Sequence, residues 1–217
     1  MITVAAGDAE AVAVTAGCLE RGGIALVPTD TVYGLAVRPG DPAALERVFR
    51  AKARPLERDL PVLAANLEQV ESLGVDFNET ARRLAGRFWP GALTIAFGFA
   101  AGPAVKRADR PGWLAERLEV AVRLPDLAFL RSLISRTGVL LVTSANTHGE
   151  PTPASARGAA AALLEPVDVV VDGGLLSAQP STLVNVRTDP PAIERLGALS
   201  LDALRAIGVR PCPPAAG

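Results

Sequence analysis

Apolar positions along the chain fall into two patterns, and each predicts a different element. Short continuous runs bounded by turn residues read as buried strands: "IALVP", "LPVLAA", "ALTIAFGF", "EVAVRLP", "GVLLVTSAN", "VDVVVDGG", "STLVNV" and "AIERLG". Spaced apolar positions read as helices. Asp8 to Glu20 is one, closed by Gly22-Gly23, which suit the left-handed turn after a helix end. A second opens at Asp41-Pro42, an N-cap followed by proline at the first helical position. It carries Leu45, Val48 and Phe49 at helical spacing and stops at Arg54-Pro55. Further helical patterns lie at about 66–73, 78–88, 126–136, 155–165 and 201–207. Strands and helices alternate, so the class is α/β with a mixed sheet. No repeat period is visible. Residues 1–210 read as one domain and 211–217 as a flexible tail.

Polar clusters follow several of the apolar runs. Thr29-Asp30-Thr31 follows the first, Ser144 and Asn146 follow "VLLV", and Asp172-Gly173-Gly174 follows "VVV". In open α/β sheets ligands bind beyond the carboxyl ends of strands, so these clusters are expected to converge on one crevice there. The stretch "VPTDTVYGLA" carries two hydroxyls, a carboxylate and the chain's only tyrosine, Tyr33, between two apolar runs. A purely structural connection needs less chemistry than that.

Composition changes the picture only at its edges. At 217 residues, 49% apolar and 21% charged, the chain can bury a real core and is not disordered. A net charge of −1 excludes wholesale binding to a phosphate backbone and confines any nucleic-acid role to a local basic cleft. Of 22 basic residues only Lys52 and Lys106 are lysine. Such a lysine either marks a site that needs a compact ammonium or is what a bias toward arginine has left. Cys18 and Cys212 have no metal or redox spacing and read as bystanders in a reducing compartment. No apolar run approaches the roughly 20 residues that span a bilayer, and the first residues lack a signal-peptide pattern, so the expected location is cytoplasmic with no membrane contact.

Several chemistries are excluded. There is no GxxxxGK[ST] and no GxGxxG opening a helix, so neither standard phosphate cradle is present. His148 is the sole histidine, which rules out an HExxH metal site, and no GxSxG elbow makes Ser144 an acyl nucleophile. What remains is "KARPLER". Lys52 and Arg54 are two residues apart and, on an extended chain, face the same way beside Thr31; with Arg58 they could clamp an anion, or form a solvated basic turn. Ser144 and Asn146 could line a site or simply cap the next turn. In "FWPGALTI", Phe88 and Trp89 read as core aromatics and Pro90-Gly91 as a turn.

Taken in order, "PTDTVYGLA", "KARP" with Arg58 after it, "FWPGALTI", "VAVRLPD", "TSAN" followed by "GEPTP", "STLVNV" and "IERLGAL" resemble the successive motifs of the YrdC-like threonylcarbamoyl-AMP synthase family. The resemblance runs from about residue 8 to 200. It implies a single twisted mixed sheet with flanking helices and a deep electropositive concave cleft. It implies condensation of L-threonine, bicarbonate or CO2 and ATP into threonylcarbamoyl-AMP and pyrophosphate, with Mg2+ carried on the ATP and no dedicated protein metal site. The adenylate would pass to a tRNA threonylcarbamoyl transferase complex for N6-threonylcarbamoyladenosine synthesis, with weak direct contact to tRNA. Thr31, Arg123 and Ser181 match threonine contacts. Lys52 and Arg54 match the catalytic basic pair, and Arg54, Arg58, Ser144, Asn146, Thr152 and Arg195 match the nucleotide side.

Asp59, Leu63, Glu119 and Leu196 depart from the family pattern and leave their local contacts open. Two other readings compete. One is a paralogue making a different carbamoyl or acyl adenylate, as in related hydrogenase-maturation domains. The other is an RNA-binding module with a basic groove, which would call for aromatic platforms in a chain with only 4% aromatics.

Overall fold

The computed structural model describes residues 1–53, 59–100, 110–147 and 149–209. The 211–217 tail, Cys212, Lys106, His148, Arg54 and Arg58 therefore lie outside the described residues.

Among the described residues five helices begin on a side chain that takes one of the first unpaired N–H groups. Asp41 opens α2 (Pro42–Ala51), Asn66 opens α3 (Leu67–Glu71) and Asn78 opens α4 (Glu79–Phe88). Ser155 opens α6 (Ala156–Ala161) and Ser200 opens α7 (Leu201–Arg205). The first helix, α1 (Ala11–Glu20), starts later than expected because Asp8 turns its carboxylate back onto the Ala5 N–H. It ends as expected: Gly22 has φ +75°, and the Gly22 and Gly23 N–H groups bond the Leu19 and Cys18 carbonyls in a Schellman motif. The pattern at 155–165 predicts a longer helix than α6. The Leu164 N–H instead bonds the Ala51 carbonyl, which draws the chain out of the helix. Ala128–Thr137 forms α5.

Among the described residues ten strands form one mixed sheet. They are β1 (Ile2–Ala5), β2 (Ala25–Val27), β3 (Gly34–Val37), β4 (Val62–Leu63), β5 (Leu93–Phe97), β6 (Val120–Arg123), β7 (Leu140–Ser144), β8 (Val169–Asp172), β9 (Thr182–Asn185) and β10 (Ala192–Arg195). Their order is β1-β8-β2-β3-β7-β4-β6-β5-β9-β10. Neither β1 nor β3 is among the predicted strands: "ITVA" is short and mostly exposed and is a strand because it pairs in parallel with the distant β8, and Gly34–Val37 pairs antiparallel with β2 and β7.

Side chains alternate across the sheet, so each strand serves two faces. Leu26, Leu35, Val62, Ile95, Val122 and Val184 face one large core that also takes Val48 and Phe49 of α2 and Leu84 of α4. On the opposite face Val27, Ala36, Val142 and Val171 pack against Leu19 of α1 and Leu130, Leu133 and Ile134 of α5. Farther along that second face, Thr94 and Ala96 of β5, Ala121 and Arg123 of β6 and Leu183 of β9 line a pocket. One half of the face is thus packed by helices and the other half is hollow. None of the described helices is long and apolar enough to cross a membrane.

Candidate active site

The pocket has a volume of about 920 Å³ and runs from the face of the sheet, at Ala96 and Ala121, to the carboxyl ends of β4, β6 and β7, where Leu63, Arg123 and Ser144 line it. It reaches the expected strand ends and extends beyond them over the sheet. Two of the three polar clusters do meet there: Thr29 and Thr31 line it beside Ser144 and Asn146. The third does not. Asp172 and Gly174 instead hold the fully buried Tyr33, whose hydroxyl donates to the Gly174 carbonyl at 2.7 Å and accepts from the Gly173 N–H at 3.0 Å. Burial pushes the Tyr33 phenol above its ordinary value. The chain's only tyrosine is therefore a tether for the β8–β9 connection.

The loop between β2 and β3 is built around Thr29. Its hydroxyl accepts from the Thr31 and Val32 N–H groups at 3.1 and 3.0 Å and donates to the Val32 carbonyl at 2.7 Å. The Thr29 and Thr31 hydroxyls are 3.0 Å apart. Thr31 also accepts from Arg123 Nη1 at 2.7 Å, which ties the loop to β6.

Arg123 ends β6 with its side chain 6% exposed. Its Nε donates to the Gly91 carbonyl at 2.9 Å and its Nη2 to Asp30 Oδ1 at 2.5 Å, where the Asp30 side chain is 15% exposed. The "FWPG" turn is thus more than structural. Ser181 lies on the same pocket wall, its hydroxyl 2.7 Å from that of Thr94. Arg195 donates from Nε to the Ser181 carbonyl at 3.0 Å and from Nη2 to the Ser181 hydroxyl at 3.1 Å. Although Arg195 sits at an exposed rim, packing around its guanidinium and then the nearby cation of Arg123 push it below its ordinary value. Two guanidiniums and three hydroxyls therefore converge at one end of the pocket.

Lys52 is the C-cap of α2 and is 2% exposed. Its ammonium donates to the Ser144 carbonyl, to the Asn146 carbonyl at 2.5 Å and to Asn146 Oδ1 at 3.2 Å. Asn146 donates in turn to the Thr147 and Glu150 carbonyls at 2.9 and 2.5 Å, and the Thr152 hydroxyl donates to Asn146 Oδ1 at 3.3 Å. Lys52, Ser144, Asn146 and Thr152 come together as one unit. The Ser144 and Asn146 carbonyls draw the Lys52 ammonium onto this loop, and Lys52 is not among the described residues that line the pocket.

Asp30, Gly91 and Thr94 are site residues to which the sequence pattern assigns no functional role: Asp30 and the Gly91 carbonyl hold Arg123, and Thr94 meets Ser181. Thr94 was legible as the polar member of an otherwise apolar strand. The Asp30–Arg123 pair was not, since 93 residues separate its members. Among the described lining residues, Asp59, Glu119, Glu150 and Glu194 are acidic and Arg123 and Arg195 basic. Asp59 pairs with Arg117 at 3.1 Å, and Glu119 pairs with Arg187. Among the described residues no group of three or more His, Cys, Asp or Glu is placed to hold a metal ion.

This hollow half-sheet, with hydroxyls and arginines on one wall and a lysine-held loop on the other, has counterparts of known kind. The Sua5/YciO/YrdC family model, described as telomere recombination, matches residues 17–197, and the chain belongs to that family. A threonylcarbamoyl-AMP synthase of Pyrococcus abyssi is 33% identical over 197 residues, covering 89% of this chain and 56% of the relative. One from Chromobacterium violaceum is 32% identical over 171 residues, covering 78% of this chain and 86% of the relative. The crystal structure of P. abyssi Sua5 complexed with L-threonine superposes with a TM-score of 0.83 at 32% identity, covering 97% of this chain and 61% of that one. The chain thus spans little more than half the length of the Pyrococcus relative. E. coli YciO, at 22% identity and a TM-score of 0.77, shares the fold.

Proposed function

We propose that this chain is a threonylcarbamoyl-AMP synthase, condensing L-threonine, bicarbonate or CO2 and ATP to threonylcarbamoyl-AMP and pyrophosphate. The observation that carries the reading is the convergence of Thr31, Arg123 and Ser181 in one pocket with the Ser144–Thr152 loop on its other side. The bound L-threonine named for the Pyrococcus structure supports it.

In this reading Arg123 grips the threonine carboxylate and the Thr31 hydroxyl contacts the same molecule. Ser181 supplies a third polar contact. Ser144, Asn146, Thr152 and Arg195, with Arg54 and Arg58, serve the nucleotide, which enters as its magnesium complex. The threonine amine attacks the carbon of CO2, opening one C=O bond and losing a proton to water, or that of bicarbonate with loss of water; the resulting carbamate oxygen attacks the α-phosphorus, breaking its bond to the bridging oxygen and expelling pyrophosphate. Neither step needs an enzyme nucleophile. Catalysis then comes from positioning and from cations facing the developing negative charge, with Arg54 and Lys52 in those roles. Lys52 contributes by fixing the Ser144–Asn146 loop. The adenylate goes to a tRNA threonylcarbamoyl transferase complex in the cytoplasm, and any direct contact with tRNA is weak.

The test is pyrophosphate release by the purified chain. It should require threonine, bicarbonate and ATP together. Serine should turn over less well, because one lost methyl contact is worth about 1–3 kcal/mol. Equal turnover of glycine, serine and threonine would overturn the reading.

A further inference from the structure

We infer that Asp30 is a positioning residue for Arg123: its carboxylate locks the guanidinium against Thr31 and cancels its net charge, leaving two N–H groups for the carboxylate of the amino-acid substrate. The inference rests on the synthase reading for the identity of that substrate, and on geometry alone for the lock.

A guanidinium has five N–H donors. In Arg123, Nε is taken by Gly91, one hydrogen of Nη1 by Thr31 and one of Nη2 by Asp30. One N–H therefore remains on each terminal nitrogen, the number a bidentate carboxylate uses. Three anchors from three directions fix the plane of the group, and the Thr29-built turn that carries Asp30 and Thr31 is itself held by three short-range bonds. The side chains of Asp30 and Arg123 are both largely withdrawn from water, where an unpaired guanidinium would be costly.

Charge gives Asp30 its second effect. Arg195 is close enough for the two cations to disfavour one another. With Asp30 in place the Arg123 pair is neutral, so it selects by shape, while Arg195 supplies attraction. Without Asp30 the wall would carry two uncompensated cations and attract any small anion.

The test compares Asp30→Asn and Asp30→Glu with the unsubstituted protein. Threonine is a zwitterion, so extra positive charge attracts its carboxylate and repels its ammonium; the lost fork then decides the sign. Asp30→Asn should raise the threonine KM by about tenfold or more and leave the ATP KM within about twofold. Acetate, a carboxylate without an ammonium, should compete with threonine about threefold or more better in Asp30→Asn than in the unsubstituted protein. Asp30→Glu restores the charge and should return acetate inhibition toward the unsubstituted value. A residue that merely stabilised the fold would not strengthen acetate binding. Unchanged threonine KM and acetate inhibition in Asp30→Asn would overturn the inference.

A measurement without substitution keeps it testable if the variants fail to fold. The Arg123 Nη protons should show hindered rotation by nitrogen-15 NMR of the unliganded protein, and a freely rotating guanidinium would overturn the lock. If the unsubstituted protein released no pyrophosphate from its three substrates, the synthase reading would fall while hindered rotation of Arg123 would still support the lock.

Discussion

Lys52 and Arg123 are the two cations buried among the described residues, and their surroundings assign them different tasks. Arg123 meets a carboxylate, a hydroxyl and a carbonyl in the plane of its fork. Arg123→Ala should therefore raise the threonine KM strongly and leave the ATP KM nearly unchanged; the opposite pattern in steady-state kinetics would mean that the two ends of the pocket are reversed. Lys52 has three oxygens gathered around a compact head. Lys52→Ala would take a donor from the buried Asn146 carbonyl and side chain, so both the melting temperature and turnover should fall, turnover by roughly 100-fold or more. Lys52→Arg keeps the charge but brings a planar head into a site shaped for a point, and it too should be impaired. Near-normal pyrophosphate release by Lys52→Arg would show that charge alone matters. The sequence marked both residues, Lys52 by its rarity and Arg123 by its motif. It could not show which way Lys52 turns, because the carbonyls that hold it belong to residues more than 90 positions away.

Helix α2 illustrates how far local pattern reaches. Its Asp41 cap, Pro42 start and apolar face were legible because each is a short-range feature, and together they deliver Lys52 at its end. The Ser144–Thr152 loop is different: Asn146 joins it to Lys52, Glu150 and Thr152. Asn146→Ala should loosen this loop and raise the ATP KM while sparing threonine, as a KM comparison would show. Asp168, just before β8, ties three elements by bonding the Ile24 N–H at 2.8 Å and Arg47 of α2 at 3.0 Å. Burial opposes its charge, but the Arg47 and Ile24 bonds hold its carboxyl below its ordinary value. Its folded-state pKa is depressed, so it adds stability above the ordinary carboxylate range near pH 4, and that stability is lost as pH falls through the folded value. Urea midpoints of the unsubstituted protein and Asp168→Asn should therefore converge toward acid. A constant gap would contradict this account.

The molecule as a whole is one sheet whose two faces are treated unequally, and adjacent residues of β6 expose the difference. Val122 points into the packed core and Ala121 into the hollow. Val122→Phe should destabilise by about 1–3 kcal/mol through overpacking. Ala121→Phe should leave the melting temperature nearly unchanged and abolish pyrophosphate release by filling the pocket floor. Calorimetry and the assay together check the pair, and equal destabilisation by both would mean that the hollow is not open in solution.

The sequence by itself determined the alternation of strands and helices, the Asp41 cap, the family and seven of the residues that line the pocket. These depend on contacts within a few positions or on motifs read in order. Tertiary structure decided where they meet. The pocket extends over the face of the sheet because α1 and α5 cover only the β8-β2-β3-β7 half of it, and strand order is set by pairings such as β5 with β9 that join distant segments. Strand alternation predicts two faces for every strand, but not which face a helix will cover. The pairing of Asp30 with Arg123 and the turning of Lys52 onto a loop carbonyl follow from that arrangement, since each bond exists only after the sheet has brought its partners within hydrogen-bonding distance.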